Sequence, residues 1–201
     1  MRIVVLGSGV GSNCASLLHA QIRGELGEAK IVAIFTDNEK AGILEVAHKH
    51  KIKAQHCGPY QTVKIDKEQN QSPSDDRWIK AIKPKSPDLI ILAGFMKVLS
   101  SYFINYFNHK IINLHPSILP SFKGLNAIQK AWDAGVKITG CTVHWVSSEL
   151  DMGPIIEQSH VRISENDTFK SLTTKIHTEE HSLLPKVVAG LSTGKYSFQT
   201  K

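Results

Sequence analysis

One short run of polar residues in this sequence could do acyl chemistry. In Asn113-Leu114-His115-Pro116-Ser117 an asparagine and a histidine stand two residues apart. On the end of a β-strand, both side chains project from one face and Leu114 from the other. An asparagine amide can donate a hydrogen bond to a developing oxyanion, and an imidazole can move protons near neutral pH. That pairing suits acyl transfer through a tetrahedral intermediate. No Ser or Cys occupies a nucleophile elbow of the Gly-x-Ser-x-Gly kind. Direct attack by a substrate amine is therefore expected, rather than a covalent enzyme intermediate. A third group could come from Glu149-Leu150-Asp151-Met152-Gly153-Pro154. A carboxylate there could orient the imidazole and favour its charged form. Equally, Asp151 could be only a turn residue of the sort found before Gly-Pro.

A second candidate lies at the N-terminus. Gly7-Ser8-Gly9-Val10-Gly11-Ser12-Asn13 joins an apolar run to a helical pattern. Backbone amides at a helix start attract anions, and glycine lets an anion approach, so a phosphate is the natural guest. A dinucleotide is the rival reading. Its third glycine would fall at Ser12, however, and Asp37 comes late for the expected ribose-binding acid. A tight turn with no ligand is the plain alternative.

The elements that must position these groups alternate in type. Strands are expected at Arg2–Leu6, Lys30–Thr36, Lys53–His56, Asp88–Leu92, Ile111–Leu114, Thr139–Val146 and Ile155–Ile163. Helices are expected at Ser12–Arg23 (capped by Ser12 or Asn13), Lys40–His50, Asp75–Lys83, Asn126–Ala134 and Thr168–Ala189, the last with Pro185 as a potential bend. Tyr60–Ser74 reads as a polar, mobile surface loop. The pattern is that of an α/β protein with a mostly parallel, Rossmann-like sheet, helices on both faces and an antiparallel C-terminal strand pair. Trp78 and Trp132 fall at helix-core positions.

The bulk composition bounds the function. The chain has 201 residues and is 41% hydrophobic and 21% charged, ordinary for one globular domain. The formal net charge is +6, which fits an anionic ligand or nucleic acid; the basic residues are spread out, which favours the small anion. Cys14, Cys57 and Cys141 form no paired spacing and suit a reducing, cytoplasmic setting. No apolar run reaches the roughly 20 residues of a membrane span. His48, His50, His56 and Cys57 fit no tetrahedral zinc spacing, so no metal is expected. His144, on a strand between Val143 and Trp145, reads as a hydrogen-bonded histidine beside the site rather than a second catalyst.

Six segments together resemble the folate-dependent phosphoribosylglycinamide formyltransferase family. They are Gly9-Val10-Gly11-Ser12-Asn13, Leu92 to Ser100, Asn113 to Ser117, Gly140-Cys141-Thr142-Val143-His144, Leu150-Asp151-Met152-Gly153-Pro154 and Glu179-Glu180-His181. They occur in the family's order and span nearly the whole chain. The resemblance implies transfer of the formyl group of 10-formyltetrahydrofolate to the amine of N1-(5-phospho-D-ribosyl)glycinamide, in purine biosynthesis. It implies that Gly11, Ser12 and Asn13 bind the ribose phosphate and that Glu180 contacts the glycinamide substrate. Met96, Lys97, Val98 and Leu99 would line the pterin pocket through backbone polar groups and apolar side chains. Asn113 would hold the formyl oxygen, His115 would donate the proton, and Asp151 would raise the basicity of His115 and help order a water. No metal is implied. The family's arginine for the folate glutamate tail has no clean counterpart in Tyr60–Ser74, where Lys64 or Lys67 could substitute.

Two relatives share the constellation. A formyl-folate hydrolase is expected to carry an added N-terminal regulatory domain, and a formyltransferase acting on initiator transfer RNA a C-terminal RNA-binding domain. The chain is expected to have neither. It reads as one domain, with a phosphate-binding half at about 1–100 and a folate and catalytic half at about 101–201. Its partners would be small molecules only, and it would be a monomer or homodimer. From another class, a nucleotide-binding oxidoreductase would need the glycine loop to hold a dinucleotide.

Overall fold

A computed structural model describes residues 1–62, 71–108 and 110–197. Strands β1 (Arg2–Leu6), β2 (Lys30–Thr36), β3 (Ala54–His56), β4 (Leu89–Leu92), β5 (Ile111–His115), β6 (Ile138–Trp145) and β7 (Ile155–Arg162) form one seven-stranded sheet in the order β3-β2-β1-β4-β5-β6-β7. The first five run parallel to one another; the β5–β6 and β6–β7 pairings are antiparallel. The chain runs outward from β1 through β2 to β3, then returns to lay β4 on the other side of β1. This reversal is the place where open α/β sheets bind ligands, at the C-terminal strand ends.

Each face has its own core. Ile3, Val5, Ile91, Ile112, Leu114 and Val143 meet α1 (Ser12–Ile22), α2 (Ile43–Lys49) and α6 (Phe169–Ser192). Val4, Leu6, Ile90, Leu92 and Ile111 meet α3 (Asp75–Ile82) and α4 (Ser101–Tyr106), with Trp78 fully buried among Tyr60, Phe95 and Phe103. Helices switch faces when the chain reverses, because right-handed crossovers in opposite directions leave them on opposite sides. A short helix, α5 (Ala127–Asp133), follows the loop after β5.

Four expectations need correction. Helix α1 is not capped by Ser12 or Asn13: the cap position is Gly11 at φ 87°, with no side-chain cap bond. An added Cβ at Gly11 would lie 2.7 Å from the Ile43 Cα, so the loop and the start of α2 fit only around a glycine. Helix α4 was not anticipated, and Ser100 caps it by accepting from the Phe103 N–H at 3.0 Å. The Tyr60–Ser74 stretch is not a solvated surface loop at its ends, since Tyr60, Ser72 and Ser74 are buried. Lys64 and Lys67 lie outside the described residues. Helix α6 continues through Pro185 to Ser192. No helix among the described residues is long and apolar enough to cross a membrane.

Candidate active site

The strand pattern that buries Ile112 and Leu114 on one face aims Asn113 and His115 to the other, as the spacing predicts. Antiparallel pairing sets His144 opposite Asn113 and Thr142 opposite His115. Directly opposed residues are neighbours, so β6 supplies half of the site. A register shift in the β6–β7 ladder falls between Val143 and His144, as bulges often do beside functional residues.

Asp151 completes the cluster from the turn between β6 and β7. Its Oδ2 lies 3.4 Å from His115 Nδ1 and its Oδ1 lies 3.6 Å from His144 Nε2. The Gly124 N–H donates to Oδ2 at 2.8 Å. Asp151 takes φ 52°, a left-handed conformation that aspartate tolerates better than most residues. The turn is pressed against the sheet: a Cβ on Gly153 would sit 1.7 Å from the Trp145 carbonyl oxygen. Burial pushes the Asp151 carboxyl up. The His144 ring, the Gly124 N–H and the charge of His115 outweigh that and hold it below the ordinary aspartate value.

The two imidazoles are wired differently. His144 Nδ1 donates to the Trp145 carbonyl at 2.9 Å, so Nε2 is an acceptor when the ring is neutral and presents a proton to Asp151 when the ring is charged. The Asn113 Nδ2 lies 3.2 Å from that nitrogen and donates to it, which orients the amide. His115 Nε2 donates to the Phe122 carbonyl at 3.0 Å while Nδ1 faces Asp151. Both of its partners are acceptors, so a ring carrying two protons satisfies both. The loop after β5 is tied down from β6 and β7. Thr142 Oγ1 donates to the Ser117 carbonyl at 2.7 Å, and Gln158 Nε2 donates to Thr142 Oγ1 at 2.9 Å.

Beside this cluster, the glycine loop meets the strand β4 exit: the Met96 N–H donates to Ser8 Oγ at 3.0 Å. The side chains of the β4 exit diverge. Met96 is exposed, Lys97 Nζ lies 3.9 Å from Asp37, Val98 is half-buried, and Leu99 is buried in the core. The Leu99 side chain packs into the core on the α3 and α4 face. Across the strand ends, Glu180 on α6 is buried and accepts from Asn13 Nδ2 at 3.1 Å and from His177 Nδ1 at 2.8 Å. No acidic residue stands in the first turn of α1, which leaves its N-terminal dipole open to an anion. Among the described residues no group of three or more His, Cys, Asp or Glu could hold a metal ion.

The structure therefore brings Asn113, His115 and Asp151 together, and joins Asn13 to Glu180. His144 binds Asn113 and approaches Asp151, a hydrogen-bonded histidine beside the site as its strand context suggests. The partnerships of Asp37 with Lys97 and of His177 with Glu180 were not read from the sequence. The second carried a signal, the i, i+3 helical spacing of the two residues.

Known proteins resemble this chain over most of its length. Residues 1–188 match the family model described as formyl transferase. The chain is 35% identical over 193 residues to the trifunctional purine biosynthetic protein adenosine-3 of Bos taurus, covering 96% of the chain and 18% of that relative's length. It is 32% identical over 190 residues to the phosphoribosylglycinamide formyltransferase of Bacillus subtilis (strain 168), covering 94% of each. The crystal structure of glycinamide ribonucleotide transformylase 1 from Symbiobacterium toebii superposes with a TM-score of 0.89 at 32% identity, covering 99% of this chain and 91% of that one. With sheet order, family model and near-complete overlap in agreement, this chain belongs to the phosphoribosylglycinamide formyltransferase family.

Proposed function

We propose that this protein transfers the formyl group of 10-formyltetrahydrofolate to the amine of N1-(5-phospho-D-ribosyl)glycinamide, a step of purine biosynthesis, in the cytoplasm. Residues 1–201 act as one domain in this reading, and no metal is needed. The observation that carries it is the chain of contacts from Asn113 through His144 and Asp151 to His115. An oxyanion donor and a charge-supported imidazole stand side by side at the strand ends.

The acceptor's phosphate lies against the backbone of Gly11, Ser12 and Asn13 at the start of α1, and Glu180 meets the rest of that substrate. The folate pterin lies along the backbone of Met96, Lys97, Val98 and Leu99. The acceptor amine attacks the formyl carbon, forming the new C–N bond as the carbonyl π electrons move to oxygen. One N–H of Asn113 Nδ2 is used on His144, and the second donates to that oxyanion. Collapse of the tetrahedral intermediate breaks the bond to the folate N10. The proton lost by the attacking amine reaches N10 by way of His115, with Asp151 stabilising the imidazolium as it forms. The Phe122 carbonyl now holds His115 Nε2, so substrate must compete for that N–H.

A steady-state assay with both substrates and a control lacking the acceptor tests this. Tetrahydrofolate should appear only with glycinamide ribonucleotide, in equal amount to the N-formyl product. Release without acceptor would make the protein a hydrolase, and saturable NADH fluorescence with no formyl transfer would make it a nucleotide-binding oxidoreductase.

A further inference from the structure

On the far side of the glycine loop, Glu180 is a nearly buried carboxylate held by a half-exposed histidine: the side chains of Glu180 and His177 are 4% and 46% exposed. The i, i+3 spacing puts them one turn apart on a single face of α6. His177 Nδ1 donates to Glu180 Oε2 at 2.8 Å, and Asn13 Nδ2, from the first turn of α1, donates to the same oxygen at 3.1 Å. Both bonds fall on Oε2, so Oε1 is the oxygen left to accept from a ligand. The other end of the Asn13 amide, Oδ1, is buried with no donor among the described residues. Oε1 therefore suits a ligand that brings hydroxyl or amine hydrogens to the start of α1.

We propose that His177 is a positioning residue for acceptor binding: it holds the Glu180 carboxylate turned so that Oε1 meets the hydroxyls of the phosphorylated ribosyl substrate. This rests on the reading of Gly11–Asn13 and Glu180 as the acceptor site. A nearly buried carboxylate keeps its charge only when hydrogen bonds and a cation offset its lost hydration. Asn13 supplies a donor without charge. His177 supplies both while it is an imidazolium, and its contact with water lets it gain and lose that proton. The bond to Glu180 raises the His177 pKa above the ordinary histidine value, outweighing the lowering by burial. The other titratable groups around the pair are His181, stacked at 6.5 Å from His177, Glu179 on the same helix, and Cys141 on β6, which feels both glutamates. Because the folded value is raised, the imidazolium's contribution is full at low pH and fades as pH rises through that value.

The test is acceptor KM and kcat for the parent, H177A, H177Q and E180Q between about pH 6 and about pH 9. Glutamine keeps a donor for Oε2 but neither charges nor titrates. H177A should raise acceptor KM about tenfold with kcat within about twofold. H177Q should recover most of that loss at the alkaline end. The parent-to-H177Q ratio of kcat/KM, which cancels titration of the substrate itself, should be largest at the acid end and fall toward one. The formyl-donor KM should not move. In labelled-histidine NMR, His177 should titrate closer to an ordinary histidine in E180Q. An H177A acceptor KM equal to the parent's, a pH-independent ratio, or an unchanged His177 titration overturns the proposal. E180Q distinguishes the two levels: a raised acceptor KM there leaves the acceptor site standing, and no change overturns both.

Discussion

At the scale of single residues, the chemistry turns on how two histidines differ. His144 is fixed by the Trp145 carbonyl and serves Asn113, whereas His115 sits between two acceptors and can carry a mobile proton. His115→Ala should leave the far-ultraviolet circular dichroism unchanged and lower kcat by about 10²–10⁴-fold, the usual yield of general acid–base catalysis. Turnover within threefold of the parent would remove His115 from the proton path. Asp151→Asn keeps the shape but not the charge, so it should shift the pH–rate profile, and an unchanged profile would deny the carboxylate its role as charge partner. The same variant should respond in stability. A carboxyl held below its ordinary value stabilises the fold at pH above its unfolded value, about 3.9, and that contribution is lost as pH falls through the folded value. The gap in Tm between parent and D151N should therefore be wider at about pH 6 than at about pH 3.

At the scale of elements, positions are set by tight backbone contacts. Gly153 is the clearest case, because any Cβ there would collide with the Trp145 carbonyl, which is backbone and cannot swing aside. Gly153→Ala should cost about 2 kcal/mol or more in urea unfolding and also depress kcat, since Asp151 stands two residues away and small displacements of an orienting group are costly. A variant as stable and as active as the parent would show the turn to be more pliant than its geometry implies. Much of this level was legible in the sequence. The alternation of apolar strand runs with helical patterns located all seven strands, and the i, i+2 spacing of Asn113 and His115 gave their shared face. What escaped has physical causes. Helix α4 is six residues long, under two turns, so its aromatic residues show no helical period. The meeting of His144 with Asn113 depends on the antiparallel register, which neither strand encodes alone.

At the scale of the whole molecule, the proposed substrate site draws on both cores and on loops far apart in the sequence, so something must hold those loops in step. On the α3 and α4 face that connection is Asp75, which is fully buried. The Tyr60 hydroxyl donates to its Oδ1 at 2.5 Å, while the Ser72 N–H and the Ser100 hydroxyl donate to its Oδ2 at 2.7 and 2.6 Å. The Ser100 N–H returns to the Tyr60 oxygen at 3.2 Å. One carboxylate thus ties residues from both ends of the Tyr60–Ser74 segment to Ser100, the residue after the Met96–Leu99 run along which the pterin is proposed to lie. Removing its charge leaves donors facing a weaker acceptor, and substituting alanine leaves three buried donors unmet. Asp75→Asn should lose about 2 kcal/mol of stability and Asp75→Ala more, by urea unfolding at neutral pH. If the hub also sets the pterin loop, D75N should raise KM for the formyl donor several-fold while leaving acceptor KM unchanged, because the glycine loop and Glu180 are held from the other core. Equal changes in both KM values would mean that Asp75 only stabilises the fold, and that the order of the pterin loop is set elsewhere.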